Sequence, residues 1–291
     1  MSNGIALRQN ENPSIARLAA QRQLYSEAGH LDEINSIISV ILPFILSIIV
    51  TLETAGSYVK VISYLLSVVS LIASILVVKA TKKKKQIAAA IQLEFDVYVF
   101  NMPWDTKAFG KRRDLSSEIV DKSKNILSND DEKKKLFNWY QIAADNMPLC
   151  DGILTCQKEN IHWDVGLRKR YRLFLIVLVI IITAIIVVIG LVKNELFQDF
   201  VARVVFIVPI LRWLLSSMSS INNDIERIND LSKELLSDGD KDMNELQYIQ
   251  KTITDHRKSA IKIPDFIYKL FQNNDEDRAR RIVEYNSNSR T

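Results

Sequence analysis

The sequence predicts an all-α polytopic membrane protein with four transmembrane helices, a helical cytoplasmic insert between the second and third spans, and a helical cytoplasmic tail. Two observations lead to this fold class. Charged residues make up 25% of the 291 residues, yet four long stretches are almost free of them. The segments between these stretches repeat apolar residues at the three- and four-residue spacing of amphipathic helices. Because no surface helix of a soluble protein is apolar all around, this layout favours membrane spans.

Each of the four apolar stretches is long enough to cross a bilayer, because a helix rises about 1.5 Å per residue and the hydrocarbon layer is about 30 Å thick. The third stretch is aliphatic over almost its whole length. The fourth contains Arg203 and Arg212. Each arginine would cost about 3 kcal/mol at the centre of a span, but long side chains nearer its ends extend to the interface. The predicted spans are residues 34–52, 61–78, 173–192 and 200–218.

Basic residues near the span ends predict the orientation, since Lys and Arg accumulate on the cytoplasmic side. Nine of them lie at positions 79–85 and 168–172, whereas the two short loops on the other side contain only Lys60 and Lys193. The insert and both termini are therefore expected in the cytoplasm. The predicted segments are an N-terminal helix (1–33), two transmembrane hairpins (34–78 and 173–218), the insert (79–172), the tail (219–272) and a disordered C-terminus (273–291).

Apolar periodicity also predicts where the cytoplasmic helices lie. Ile87, Ile91, Phe95 and Val99 recur every four residues, so the second span is expected to continue as one helix until about Met102. A helix beginning near residue 150 is expected to run into the third span. Further helices are predicted over residues 114–128, over 131–147 with Leu136, Trp139, Tyr140, Ala143 and Met147 on one face, from 219 to about 236, and around 243–253.

The stretch CQKENIHWDVGLRKRYR, residues 156–172, groups a cysteine, a histidine and two acids, which are residue types found in metal and catalytic sites. Cys156 and His162 differ by six positions, or about 240° around a helix, so their side chains do not converge. The chain has only eight glycines and three histidines, and it contains none of the common phosphate-binding loops. Neither a metal site, nor a cofactor, nor an enzymatic activity is therefore predicted.

Serine residues form stripes in the first two spans. Ser63, Ser67, Ser70 and Ser74 are spaced by four, three and four residues, which places them on one face of span two. Such a stripe is typical of either a close helix contact or a pore wall, and the sequence leaves both open. No acidic residue lies in the middle of a span, which argues against an ion-coupled transporter. The corresponding stripe of span one comprises Ser36, Ser39 and Ser47, with Pro43 between them.

Three segments in a fixed order resemble a known family. They are SIARLAAQRQLYSEA before span one, LEFDVYVFNMPW after span two and CQKENIHWDVGLRKRY before span three. Together with the paired spans, they resemble the SMODS-associated four-transmembrane effectors of bacterial anti-phage systems, over about residues 14–270. The resemblance implies that a partner synthetase makes a cyclic oligonucleotide, that this messenger acts on the cytoplasmic part, and that the protein then permeabilises the lipids of the inner membrane as a pore. Because the four spans of one protomer enclose too little space for a wide pore, a homo-oligomer is expected. Binding of DNA or RNA is not expected.

The residues that would contact the messenger are predicted from their chemistry, because aromatic rings stack on bases and guanidinium groups pair with phosphates. The alternative for Trp163 is packing, together with Leu167, into the core of the insert. Two other functions stay open, a non-conducting membrane anchor or scaffold that recruits partners, and a small transporter. The predicted stacking residues are Trp104, Trp139, Tyr140 and Trp163, and the predicted phosphate contacts are Arg112, Arg113 and Arg168.

Overall fold

The computed structural model of the protein describes residues 2–51, 56–192, 197–236, 241–261, 263 and 267. All regular structure in these residues is helical and none is a strand, which confirms the all-α class. The predicted disordered C-terminus (273–291) lies outside the described residues. The helices are α1 (Ile5–Gln9), α2 (Asn12–Ser36), α3 (Leu42–Thr51), α4 (Ser57–Val99), α5 (Thr106–Phe109), α6 (Ser116–Leu127), α7 (Asp130–Lys134), α8 (Leu149–Val192), α9 (Phe197–Leu236) and α10 (Met243–Ser259), with a π-helical turn at Ile37–Ile41 and a 3-10 turn at Ile142–Asn146.

Three helical segments are long and apolar enough to cross a membrane, namely Asn12–Leu46, Ser57–Val99 and Leu149–Val192. They overlap the first three predicted spans. The fourth predicted span lies within α9, whose backbone is helical throughout, although the side chains of residues 197–209 are outside the described ones. Helices α4 and α8 have 43 and 44 residues. At the usual helical rise each is about 65 Å long, about twice the thickness of the hydrocarbon layer.

Contacts along the chain define two compact units. The polar unit comprises Met1–Ala28, Lys82–Arg168 and Asp224–Thr291, and the membrane unit comprises Gly29–Thr81 and Lys169–Asn223. The N-terminal segment, the insert and the tail, which are separate in the sequence, therefore belong to one folded body. Helices α4, α8 and α9 each contribute residues to both units.

The core of the polar unit is assembled from α1, α2, α4, α8, the end of α9 and α10. Phe95 and Val99 of α4 are fully buried, in agreement with the four-residue repeat that predicts the extension of this helix beyond span two. Leu18 of α2 and Leu246 of α10 are buried in the same cluster. Burial of each large apolar side chain contributes about 1.5–3 kcal/mol, so the core holds segments from both ends of the chain against the insert.

The prediction of a helix over residues 131–147 is wrong. Helix α7 begins after Asn129, whose side chain caps the first turn, but it ends at Lys134. Asn138 has a φ of 52°, a left-handed conformation that asparagine tolerates better than most residues. Two hydrogen bonds with Asn10, of 2.8 and 2.9 Å, hold this turn. A contact with the N-terminal segment, which periodicity cannot report, thus ends the helix early.

The serine stripe of α4 faces protein within the membrane unit, while the aliphatic side chains around it are exposed. Ser63 and Ser70 are 4% and 5% exposed, whereas Val69 is 59% exposed. Ser74 donates a hydrogen bond of 2.7 Å to Oδ1 of Asn35 on α2. The aliphatic surface of α4 is therefore the one left for lipid. The choice between pore wall and helix contact for the stripe stays a prediction.

Span one contains a π-helical turn that begins at Ile37 and joins α2 to α3. Pro43 follows this turn, and because proline has no N–H group and its ring crowds the carbonyl four residues earlier, a wider turn relieves the helix here. Ser36 and Ser39 donate hydrogen bonds to carbonyl groups of their own helix. The Ser47 side chain lies outside the described ones.

Candidate functional site

The polar unit contains a cavity of about 780 Å³ between α2, α4, α8, α9 and α10. This volume falls within the range of about 300–1,000 Å³ that is usual for small-molecule sites. Its lining combines apolar positions with cationic groups and one aromatic ring, which suits a ligand that carries both phosphates and bases. The lining residues with Lys, Arg, His or Tyr side chains are Lys85, Arg168, Arg227, Arg257, His256 and Tyr25, and the acidic ones are Asp164, Asp230 and Asp255.

Helical spacing brings the lining residues onto shared faces. On α8, Asn160, Asp164 and Arg168 follow one another every four residues. On α10, Ile253 and Arg257 are related in the same way. Helix α10 begins with a capping box, which satisfies donors of its first turn and sets where this face starts.

Arg168 is the centre of a buried ion-pair network beside the cavity. Its Nε donates to Oδ2 of Asp164, four residues earlier on the same helix, at 2.9 Å, and its Nη1 donates to Oδ2 of Asp224 at 2.7 Å. Nη1 also donates a hydrogen bond of 3.2 Å to the carbonyl oxygen of Ile261. Asp164 in turn lies 2.8 Å from Nε2 of His256. The network thus joins α8, α9, α10 and the segment after α10.

Asp164 is held in its charged form by this network. Burial alone would raise the pKa of its carboxyl group, but the guanidinium of Arg168 and the hydrogen bond from His256 outweigh burial and lower that pKa to about 2. Asp164 lies outside the predicted third span, in the part of α8 that belongs to the polar unit. The carboxylate is therefore a permanent partner for Arg168 at physiological pH.

A second buried network positions Arg257. Asp96 is fully buried and accepts hydrogen bonds from Oη of Tyr140 at 2.6 Å, from Nε2 of Gln250 at 2.7 Å and from Nη1 of Arg257 at 2.6 Å. Burial, and then the nearby Asp96 charge, raise the pKa of Tyr140 well above its ordinary value, so its hydroxyl stays a neutral donor. Asn160 adds a hydrogen bond of 3.0 Å to that hydroxyl. The buried Asp96 thereby fixes the position of Arg257, one of the cationic residues that line the cavity.

Two polar atoms of lining residues are buried without a hydrogen-bond partner among the described residues, the hydroxyl oxygen of Tyr25 and Nδ1 of His256. An unpaired buried polar group costs about 1–3 kcal/mol. A ligand whose binding supplies partners would recover this free energy. Two such atoms in one lining are therefore an independent indication of a binding site.

Tyr25→Phe is expected to leave the free energy of unfolding of the ligand-free protein unchanged or to raise it by up to about 1 kcal/mol, because the hydroxyl group has no hydrogen-bond partner to lose among the described residues. The matched control is Tyr140→Phe, which removes a hydroxyl bonded to a carboxylate and should cost about 1.5–3 kcal/mol. Thermal unfolding of the two purified variants measures the difference. An equal loss in both would mean that the Tyr25 hydroxyl is paired in the ligand-free protein.

The structure distributes the predicted ligand-binding residues over several places. Trp104, Arg112 and Arg113 come together at a smaller pocket of about 210 Å³, which Trp104 and Arg113 line. The guanidinium of Arg112 lies 5.6 Å from the centre of the Trp104 ring. Arg168 lines the main cavity. The side chain of Trp163 is outside the described ones.

Tyr140 lies in the core, and Trp139 lies at the edge of the core. Tyr140 is 1% exposed, and its ring centre lies 6.1 and 5.2 Å from those of Phe95 and Phe100. Trp139 is partly buried against the same cluster. The ring of Tyr140 thus already has aromatic neighbours, and its hydroxyl is engaged by Asp96.

Sequence reasoning missed most of the cavity, because it sought ligand contacts in the insert alone. Tyr25 belongs to the N-terminal segment, and Arg227, His256 and Arg257 belong to the tail. The available signal was the pair His256 and Arg257 on the polar edge of an amphipathic helix. That pattern is common on solvated helices, so only the fold reveals that it faces a cavity.

A protein-family model described as the SMODS-associating 4TM effector domain matches residues 3–285. The chain belongs to this family. The match covers nearly the whole chain and confirms the resemblance seen in the three segments around the spans. No curated protein and no solved structure matches the chain.

The SMODS-associating 4TM effector family consists of membrane effector domains that accompany SMODS cyclic-nucleotide synthetases in anti-phage systems. The chain is thus a multi-pass membrane protein with an effector role, and a nucleotide messenger from a partner is consistent with its family. The family is not a known catalytic one. The cavity of the polar unit is therefore the candidate binding site for such a ligand.

Proposed function

We propose that the protein binds a cyclic oligonucleotide in the cavity of its polar unit and responds by opening an oligomeric pore in the bacterial inner membrane, which causes abortive infection. The observation that carries this proposal is the cavity, which has about 780 Å³ and four Lys and Arg side chains in its lining. The association of the family with cyclic-nucleotide synthetases supports the choice of ligand.

Arg227 is the leading phosphate contact in this proposal. It is exposed, donates a hydrogen bond of 3.3 Å to Oγ of Ser259, and forms no ion pair within the described residues. Such a guanidinium binds a phosphate through two parallel hydrogen bonds without first losing a carboxylate. The ring of Tyr25 is the stacking candidate, and the amides of Gln92 and Asn160 are available to base edges.

The route from the polar unit to the membrane runs along continuous helices in this proposal. Helices α4, α8 and α9 each carry lining residues and also the predicted spans two, three and four. A ligand that binds one arrangement of these helices better than another shifts the population toward it. Because four spans of one protomer enclose too little space for a wide pore, the open state is proposed to be a homo-oligomer in which the serine stripes line or seal the opening.

The test is leakage of a small dye from liposomes that contain the purified protein, with cyclic di-AMP, cyclic di-GMP, cyclic GMP-AMP and cyclic tri-AMP as probes. Leakage is expected only with a cyclic nucleotide present. Arg227→Ala should raise the half-maximal nucleotide concentration about tenfold or more, because a hydrogen bond to a charged group is worth about 1.5–3 kcal/mol.

Arg113→Ala is the matched control for this experiment. It also removes one exposed arginine from the polar unit, but from the smaller pocket. An unchanged response in Arg113→Ala beside a weakened one in Arg227→Ala supports the main cavity, and the reverse result places the ligand at the Trp104 pocket. Silence of the wild type with every probe contradicts the effector proposal and favours a non-conducting scaffold.

A further inference from the structure

Arg168 has an unusual set of partners for a residue that lines a ligand cavity. It is 4% exposed and binds two carboxylates, Asp164 on its own helix and Asp224 on α9. Asp224 is itself 4% exposed and also accepts the N–H of Ile261 at 3.0 Å. The guanidinium thus holds α9 and the segment after α10 against α8, all within the polar unit.

Phosphate and carboxylate compete for the same guanidinium N–H groups, because each presents two anionic oxygens that can accept parallel hydrogen bonds from arginine. In the present arrangement one positive group faces two negative ones. Asp164 has a second partner in His256, whereas Arg168 is the single cation that the structure pairs with Asp224 in the described part of the chain. Asp224 is therefore the carboxylate whose charge is compensated by Arg168 in this part of the chain.

We propose that Asp224 is an internal competitor for Arg168, so that a phosphate of the bound ligand takes its place on the guanidinium and releases α9 from α8. This inference rests on the proposed function and adds how the same cavity is regulated. In the ligand-free protein the Arg168–Asp224 pair keeps the helices together. Ligand binding exchanges one anion for another at Arg168, and the release of α9 at Asp224 permits the rearrangement of the spans.

Two consequences follow from this exchange. Because Asp224 opposes the ligand, removal of its charge makes the ligand bind more tightly. Because the same pair stabilises the resting arrangement, its loss also favours the open arrangement without any ligand, since coupling between the two events is reciprocal. A purely structural ion pair would produce neither effect, but only a loss of stability.

The decisive variant is Asp224→Asn, which keeps the shape of the side chain and removes its charge. In the liposome assay it is expected to leak without any nucleotide. It is also expected to bind the activating cyclic nucleotide about tenfold more tightly than the wild type, which corresponds to the loss of one charge-assisted competitor. Isothermal titration in detergent measures that affinity.

The control variant is Glu226→Gln, which removes the same charge from α9 two residues away. Glu226 is exposed, forms no ion pair in the described residues and does not line the cavity. Leakage and affinity should match the wild type. If Glu226→Gln gains both properties as Asp224→Asn does, the effect belongs to the net charge of the tail, and the exchange at Arg168 is refuted.

A variant of the second carboxylate guards against misfolding. If Asp224→Asn does not fold, Asp164→Asn, at the more exposed carboxylate, should bind the cyclic nucleotide more tightly, because it also removes an anion from Arg168. It should stay sealed without nucleotide, because the Arg168–Asp224 pair remains. An unchanged affinity of Asp164→Asn, or leakage from it without nucleotide, contradicts the exchange. A folded Asp224→Asn that stays sealed without nucleotide, in a preparation whose wild type leaks on addition of one, overturns this inference and leaves the proposed function standing. A wild type that stays silent with every nucleotide, beside an Asp224→Asn variant that leaks, contradicts the proposed response to a nucleotide. It leaves the Arg168–Asp224 pair standing as the contact that keeps the spans closed.

Discussion

Asp96→Asn is expected to destabilise the polar unit by about 3–5 kcal/mol, because removing one partner of a buried charge pair leaves the other uncompensated. Asp96 is fully buried and binds Tyr140 of the insert together with Gln250 and Arg257 of α10. An asparagine keeps the volume but offers a donor where three donors converge. Urea unfolding of the purified protein, followed by tryptophan fluorescence at constant detergent, measures the change in free energy.

Glu94→Gln is the matched control on the same helix. Glu94 is also buried, but Arg17 and Arg112 approach it only to 3.8 and 3.6 Å, without a hydrogen bond. Because neither arginine makes a hydrogen bond to Glu94 and Arg112 is exposed and screened, the expected loss is smaller than that of Asp96→Asn. Comparable losses in the two variants would show that burial of a carboxylate on α4, rather than the three-part network of Asp96, determines the stability.

The double substitution Ser67→Leu with Ser70→Leu is expected to reduce nucleotide-induced leakage at least about tenfold while the protein still inserts into the membrane. Ser70 is 5% exposed and faces protein, so leucine adds two heavy atoms where α4 meets its neighbours. In a pore wall these atoms would narrow the opening and exclude water from it. At a helix contact they would obstruct the rearrangement of the spans. Dye release from liposomes, normalised to the inserted protein, provides the measurement.

The control for the stripe is Val68→Leu with Val69→Leu on the exposed side of the same helix. These valines are 57% and 59% exposed, so the larger side chains extend into lipid and leakage should be unchanged. Unaltered leakage in the serine variant would place the pore elsewhere. Reduced leakage in both variants would instead indicate a general effect of leucine on α4.

The parts of the fold that follow from one-dimensional patterns were predictable from the sequence. The continuation of α4 to Val99 follows from four apolar positions at helical spacing, and the long α8 follows from a helical pattern joined to an aliphatic span. The early end of the helix predicted over 131–147 was not predictable, because Asn10, far away in the chain, holds Asn138 in a left-handed turn. The candidate cavity was likewise hidden, since its lining comes from the N-terminal segment, the insert and the tail.

The sequence by itself determined that the protein is an all-α membrane protein, because long uncharged stretches and helical periodicity are local properties of the chain. The order of three segments around the spans carried the resemblance to the four-transmembrane effectors. Only the tertiary structure decided what the polar side chains do. It placed Tyr140 in the core against Asp96, and it placed Arg168 between two carboxylates at the edge of a cavity. The physical reason is that the burial and the ion pairing of a polar side chain depend on which distant segments pack against it. The pattern of residues along a single helix does not specify those segments.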